Sequence, residues 1–424
     1  MPVNADDHRS RLRFPRSLTQ KGLKTRESLL SSARRAFEDS GFYGTSVAEI
    51  SRRAGMSQGA FYQYFKNKEQ IFLELNDRIL ARFWSRANRL KLERLPPEAS
   101  LRCLLELLYR HCRENHFYHR ILGEFELIDA ATIGYFDSIA RFCRSVVRRA
   151  INAGQLKFLD PNVVSYALIG MAVFHAMNWG SEASEGEGDG LIELSVRMIE
   201  NGIGGGKTAS GEPASLPPER SEPPRAEAKE PPGQRQATAG VLLDSAEQVF
   251  GRYGYHRAGI TEITRAAGVA QGTFYVHFKS KRDLLEGFVR HLSRQVRREL
   301  KIATRNLSDR REVERIGIAS FFRFLARHRR IYRVVTESET MGQETALWYY
   351  RKLADGYQTG LAEGMQRGEI RNDLPAGFMV RSIMGMVHMV GLKWLVWNSK
   401  PFAEMPPQLV DELLTMILDG LKPR

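Results

Sequence analysis

Cysteine is scarce in this chain of 424 residues: there are 3, Cys103, Cys112 and Cys143, all in the first half and without the spacing of a disulfide framework. That excludes a cystine-stapled secreted scaffold and leads us to expect a reducing, cytoplasmic setting. The chain also lacks a clean apolar run of membrane-spanning length. Its two longest apolar stretches, 163–179 and 378–397, are interrupted by Ser165, His175 and Asn178, and by Arg381, His388 and Lys393. A span needs about 20 apolar residues, so both stretches read as buried helices and no membrane partner is expected. The opening "MPVNADDHRSRLRFPR" has no apolar signal-peptide core. Catalytic signatures are missing as well: there is no phosphate loop, dinucleotide glycine pattern, nucleophile elbow or zinc-protease string. We therefore expect neither catalysis nor a cofactor.

Negative charge is in short supply. Lys and Arg number 63 against 49 Asp and Glu, a net charge of +14, which favours a polyanionic partner. The excess does not come from residues 202–240, where Lys207, Arg220, Arg225, Lys229 and Arg235 balance Glu212, Glu219, Glu222, Glu227 and Glu230. This stretch is rich in Gly, Pro, Ser and Ala with almost no large apolar residue, and it reads as a disordered linker.

On either side of the linker the same text recurs. "GAFYQYFKNK" (59–68) returns 213 residues later as "GTFYVHFKSK" (272–281), and the match extends without a gap from Ala33 and Ala246. Further on, "NAGQLKFLDP" is echoed by "QRGEIRNDLP", "IGMAVFHAMNW" by "MGMVHMVGLKW", and "LIELSVRMIENGI" by "LVDELLTMILDGL". The chain is an internal duplication. Apolar residues at helical spacing (Leu101, Leu104, Leu105, Leu108, Cys112; Ile318, Phe321, Phe322, Leu325) and the scarcity of alternating patterns make both halves all-α.

In the first copy, apolar positions Leu29, Leu30, Ala33, Ala36 and Phe37 predict a helix over 25–41 that stops at Gly41. "SVAE" is a capping box opening a helix over 47–54 that ends at Gly55. Ser57 caps a third helix running through Tyr64. Two short helices across a glycine turn behind a supporting helix make a helix-turn-helix, whose last helix enters a major groove. Gln58 offers a donor–acceptor pair to an adenine edge, Ala60 a methyl contact to thymine, and Tyr62 and Tyr64 hydroxyls. Phe61 and Phe65 face inward. Lys66 and Lys68 open the next helix, where ammonium and backbone N–H groups together attract a phosphate.

The stretches "TSVAEISRRAGMSQGAFYQYFKNKEQIF" and "AGITEITRAAGVAQGTFYVHFKSKRDLL" resemble the DNA-binding domain of TetR-family transcriptional regulators. The resemblance implies an all-α fold, dimerisation through the last two helices of each body, and a body that holds a small ligand whose binding releases operator DNA. By position, it makes Ser46, Val47, Gln58, Gly59, Ala60 and Tyr64 the base-contact candidates of the first copy, and Thr261, Gln271, Gly272, Thr273 and His277 those of the second. Tyr62, Lys68, Tyr275 and Lys281 become phosphate candidates.

The expected layout is a basic arm (1–24, with Arg9, Arg11, Arg13, Arg16, Lys21 and Lys24, continued by Arg26), a helix-turn-helix (25–70), a helical body (71–201), the linker, a second helix-turn-helix (241–283) and a second body (284–424). The expected function is a ligand-responsive repressor. Its partners are a double-stranded DNA operator, a small apolar or acyl-type effector, and its own second half as a pseudo-dimer or another chain as a homodimer. The changes Ala60 to Thr273 and Tyr64 to His277 imply an imperfect palindrome. The competing reading is a ligand-binding or protein-interaction module in which one or both helix-turn-helix units no longer bind DNA. Cys112, His116 and His119, with His111 nearby, share one helical face but lack a fourth ligand, so packing is preferred over a metal site. The aromatic and Met content of the bodies (Phe117, Tyr118, Phe125, Phe174, Trp179; Tyr349, Tyr350, Met386) suits an apolar effector without identifying the lining.

Overall fold

The computed structural model describes residues 19–116, 127–177, 188–202, 234–329, 332, 343–397 and 404–420. Its helices fall in two series with the same order. The first comprises α1 (Gln20–Gly44), α2 (Val47–Arg53), α3 (Gln58–Tyr64), α4 (Lys68–Leu90), α5 (Pro97–Glu114), α6 (Leu127–Asn152), α7 (Pro161–Ala176) and α8 (Gly188–Asn201). The second comprises α9 (Gln234–Arg257), α10 (Ile260–Ala266), α11 (Gln271–His277), α12 (Lys281–Thr304), α13 (Arg310–Arg327), α14 (Gln343–Gln366), α15 (Ala376–Gly391) and α16 (Pro407–Asp419). No β-strand occurs among the described residues. The fold is all-α and tandem.

Two helix starts differ from the sequence expectation. Helix α1 begins at Gln20, inside the expected arm, because the Thr19 hydroxyl accepts from Gly22 N at 3.2 Å and caps it. Helix α9 begins at Gln234, inside the expected linker, because the Gln-Arg-Gln-Ala segment there forms helix readily. Arm residues 1–18 and linker residues 203–233 lie outside the described set.

The chain divides into compact units 1–77 and 78–424. In the first, Leu29, Ala33 and Phe37 of α1 pack on Ile50, Phe61 and Phe72, all buried, and Phe37, Phe42 and Phe72 meet with ring centroids 5.4–5.8 Å apart. The chain leaves the regular part of α1 at Gly41, whose φ of 69° is the left-handed value glycine tolerates. Arg26, assigned by sequence to the DNA-contacting arm, instead pairs with Glu74 through both guanidinium nitrogens and lies 4.8 Å over the Phe65 ring. Its charge is spent inside the fold.

The second unit holds body 1 (the rest of α4 with α5–α8), the second helix-turn-helix (α9–α11 with the start of α12) and body 2 (α12–α16). Its centre is α7 against α15. Every residue of α7 from Val163 to Phe174 is buried, as befits a helix apolar on all sides. Helix α15 and its π-helical extension Leu392–Val396 form the one described segment long and apolar enough to cross a membrane, and most of it is buried here. The two helices cross at glycines that occupy matching places in the two copies. A Cβ on Gly170 would stand 2.1 Å from the Gly385 carbonyl oxygen, and one on Gly385 would stand 2.3 Å from that of Gly170. The last helices repeat the theme: Gly202 (φ 66°) abuts Leu418 of α16, and Gly420 (φ 68°) abuts Glu200 of α8. Equivalent elements therefore face each other across a pseudo-two-fold, the arrangement of a symmetric dimer interface within one chain.

Candidate nucleic-acid interface

In the first head the Ser46 hydroxyl accepts from Glu49 N at 3.1 Å, and the Ser57 hydroxyl accepts from Ala60 N at 3.3 Å, starting α2 and α3. Gly55, at φ 68°, turns the chain between them. Phe61 and Phe65 are buried and hold α3 to its support. Gln58, Gly59, Tyr62 and Gln63 are left exposed, with Ala60 and Tyr64 half-buried at the edge of this face. At the start of α2, the cap residue Ser46 is exposed and Val47 half-buried. Glu49 bonds Arg53 at 2.5 Å and Arg52 at 2.8 Å, which holds its carboxyl below the usual range, and Arg53 also reaches Asp39 at 2.5 Å.

The second head has the same frame with fewer caps. Gly259 and Ala270 precede α10 and α11 with no side-chain cap bond, and Gly268 (φ 66°) makes the turn. Phe274 and Phe278 are buried. Thr261, Gln271, Gly272, Tyr275 and Val276 are exposed, and Thr273 and His277 half-buried. All the base-contact candidates thus lie on α2, α3, α10 and α11 or, for Ser46, cap α2, with some solvent access, and Tyr62 and Tyr275 stand out at 57% and 55% exposure.

Lys68 and Lys281, the expected phosphate candidates, are both engaged with the scaffold. Lys68 Nζ donates to the carbonyls of Phe42 and Thr45 at 2.6 and 2.8 Å and sits 4.3 Å over the Phe42 ring. Lys281 Nζ donates to the carbonyls of Tyr255, His256 and Ala258 at 2.9, 3.1 and 2.9 Å and sits 4.6 Å over the Tyr255 ring. Both ammonium groups satisfy backbone acceptors where the kinked first helix of each head gives way to the second. Their charge faces the scaffold.

Sequence reading missed Gln63 and its counterpart Val276, the latter 58% exposed. Each lies one helical turn beyond the exposed Gly59 or Gly272, so i, i+4 spacing alone would have placed them on the same exposed face. They exchange an amide for an apolar branch. Among the described residues no cluster of three or more His, Cys, Asp or Glu forms a metal site. His111 instead pairs with Tyr135 at 2.6 Å, and His116 Nδ1 lies 3.0 Å from the Arg113 carbonyl. His119, like Phe117, Tyr118, Phe125 and Trp179, lies outside the described residues.

Two helix-turn-helix heads on helical bodies define a tandem DNA-binding protein of the regulator class. The family described as "Bacterial regulatory proteins, tetR family" matches residues 29–75 and 242–287, so the chain carries that family's DNA-binding unit twice. Among similar proteins, the fatty acid metabolism regulator protein of Bacillus subtilis is 26% identical over 38% of this chain and 84% of its own length. The HTH-type transcriptional activator FasR of Mycolicibacterium smegmatis is 36% identical over 25% of this chain, which spans 48% of FasR. Among solved structures, the fatty acid degradation regulator FadR of Bacillus halodurans matches 46% of this chain and 100% of its own, at 24% identity and a TM-score of 0.40.

Proposed function

We propose that this protein is a ligand-responsive repressor that works as a covalent pseudo-dimer, one chain supplying two unequal heads to an imperfectly palindromic operator. The observation that carries this reading is the reciprocal packing of α7 on α15 and α8 on α16 through equivalent glycines, since the family's dimer helices are thereby already paired. Base readout uses Gln58, Gly59, Ala60, Tyr64 and Gln63 in the first head and Gln271, Gly272, Thr273, His277 and Val276 in the second, with Ser46, Val47 and Thr261 at the groove edge. Tyr62 and Tyr275 supply hydroxyls to phosphates. The effector is an acyl-type molecule, a reading supported by the name of the 84%-covered relative, a fatty acid metabolism regulator, and by bodies built from apolar and aromatic side chains.

Binding selection on a randomised duplex library with the full chain tests the operator. Two related but unequal half-sites are expected. Recovery of strict inverted repeats, or of no sequence preference at all, would sink the proposal.

A further inference from the structure

The two bodies are not equivalent inside. Among the described residues of both, three buried side-chain oxygens have no hydrogen-bond partner within the protein, Ser293 Oγ, Gln295 Oε1 and Tyr349 Oη, and all belong to body 2. Ser293 and Tyr349 are 0% exposed. A buried hydroxyl left unpaired costs stability and calls for a specific explanation.

Comparison with body 1 shows how these groups arose. Tyr349 corresponds to Tyr135, whose hydroxyl lies 2.6 Å from His111 Nε2. The position of His111 is taken in body 2 by Phe324, which is buried and offers no hydrogen bond. Ser293 replaces Leu80, a buried apolar residue. The same pair of helices has also lost bulk. In body 1, Phe142 packs against Phe83 and Trp84 with centroids 5.8 Å away from each. The corresponding residues of body 2 are Gly356, which is exposed, the buried Val296 and Arg297, so the interior loss is that of the Phe83 ring to an isopropyl group. Helices α12 and α14 are in contact, as Arg290 over the Trp348 ring at 5.3 Å attests, and they carry Ser293 and Tyr349.

Resting on the effector reading above, we infer that body 2 alone binds the effector, with the Ser293 and Tyr349 hydroxyls receiving its polar end, a carbonyl or carboxylate, while body 1 is a filled structural copy. A tail-only hydrocarbon has nothing to give these groups. An acyl compound pairs them with its oxygen and places its chain along the α12–α14 seam, where body 1 has aromatic rings.

Calorimetric titration of the full chain with hexadecanoic acid and with its coenzyme A thioester tests this. One equivalent per chain is expected. The double variant Ser293→Ala with Tyr349→Phe should bind at least about tenfold more weakly, and Tyr135→Phe should bind as the parent does. A probe-free reading accompanies it: Tyr135→Phe should lower Tm by stranding His111, whereas Tyr349→Phe should leave Tm unchanged or raise it. Two equivalents per chain, or equal weakening by Tyr135→Phe and the double variant, would overturn the inference and leave the effector reading standing. A lower Tm for Tyr349→Phe would also overturn it, by showing that the hydroxyl has a structural partner. Failure of both probes to bind a chain that still holds its operator would overturn the effector reading and this inference with it.

Discussion

Lys157 and Arg371 stand at matching places in the two copies, and each reaches the end of the other copy's last helix. Lys157 Nζ donates to the carbonyls of Asp419 and Gly420 at 3.1 and 3.0 Å. Arg371 donates to those of Arg197 and Gly202 at 3.3 and 3.2 Å. A cation at a helix C-terminus meets unsatisfied carbonyls and the negative end of the helix dipole. The exchange is reciprocal, as in an isologous dimer, although one backbone carries both partners. Replacing either cation by Met should cost about 1 kcal/mol, with the two losses similar in denaturant unfolding.

The glycine crossing is far less tolerant. Gly170→Ala or Gly385→Ala places a methyl group against a backbone carbonyl that cannot swing aside, so the helices must separate. A loss of more than about 3 kcal/mol is expected, together with weaker operator binding. A mild change at both positions would contradict the close packing of α7 on α15.

The heads should differ in local stability. Ser57→Ala in the first should cost about 1 kcal/mol, and Ala270→Ser in the second should recover a similar amount. Gly259→Ser should gain less, because Gly is already a tolerable N-cap and falls only a few tenths of a kcal/mol short of Ser. Amide exchange should be faster in α11 than in α3, and Ala270→Ser should narrow the gap.

If Lys68 and Lys281 serve the scaffold, Lys68→Ala should lower the melting temperature of its head. It should not produce the change of about 0.9 in the logarithmic salt slope of operator binding that one lost phosphate contact gives. A reduced slope with unchanged stability would restore the phosphate role.

Acid should weaken the second unit. Burial pushes His111 down to about 4, and His175 and His388 down to about 3, from an ordinary value of 6.5. Between pH 6.5 and those values the unfolded chain takes up protons that the folded chain refuses, so stability is present above pH 6.5 and is lost as pH falls through that window. Each group adds up to about 1.4 kcal/mol per pH unit. His175, which meets Ser382 of α15 at 2.9 Å, ties part of this loss to the contact between the bodies. Urea midpoints between pH 7 and pH 4 would measure it.

The heads were legible because their signals are local: the Ser46 and Ser57 caps, Gly41 and Gly55, and the inward Phe61 and Phe65 follow from chain spacing and appear in the structure as expected. The scaffold contacts of the lysines were not legible because their partners, the carbonyls of Phe42 and Tyr255, lie 26 residues away along the chain in each copy. Arg26 failed likewise, its partner Glu74 being 48 residues on. The duplication was visible, but Gly170 looked like any glycine in an apolar helix until Gly385 stood opposite. The inequality of the bodies was hidden for a related reason. It lies in substitutions such as His111 to Phe324, whose consequence falls on Tyr349 of another helix.

The central claim is that one chain supplies both halves of the reader. Sedimentation of the full-length protein with a duplex carrying one selected operator measures this directly. The account predicts one chain per operator, with both half-sites protected. Two chains per operator, each protecting one half-site, would contradict it.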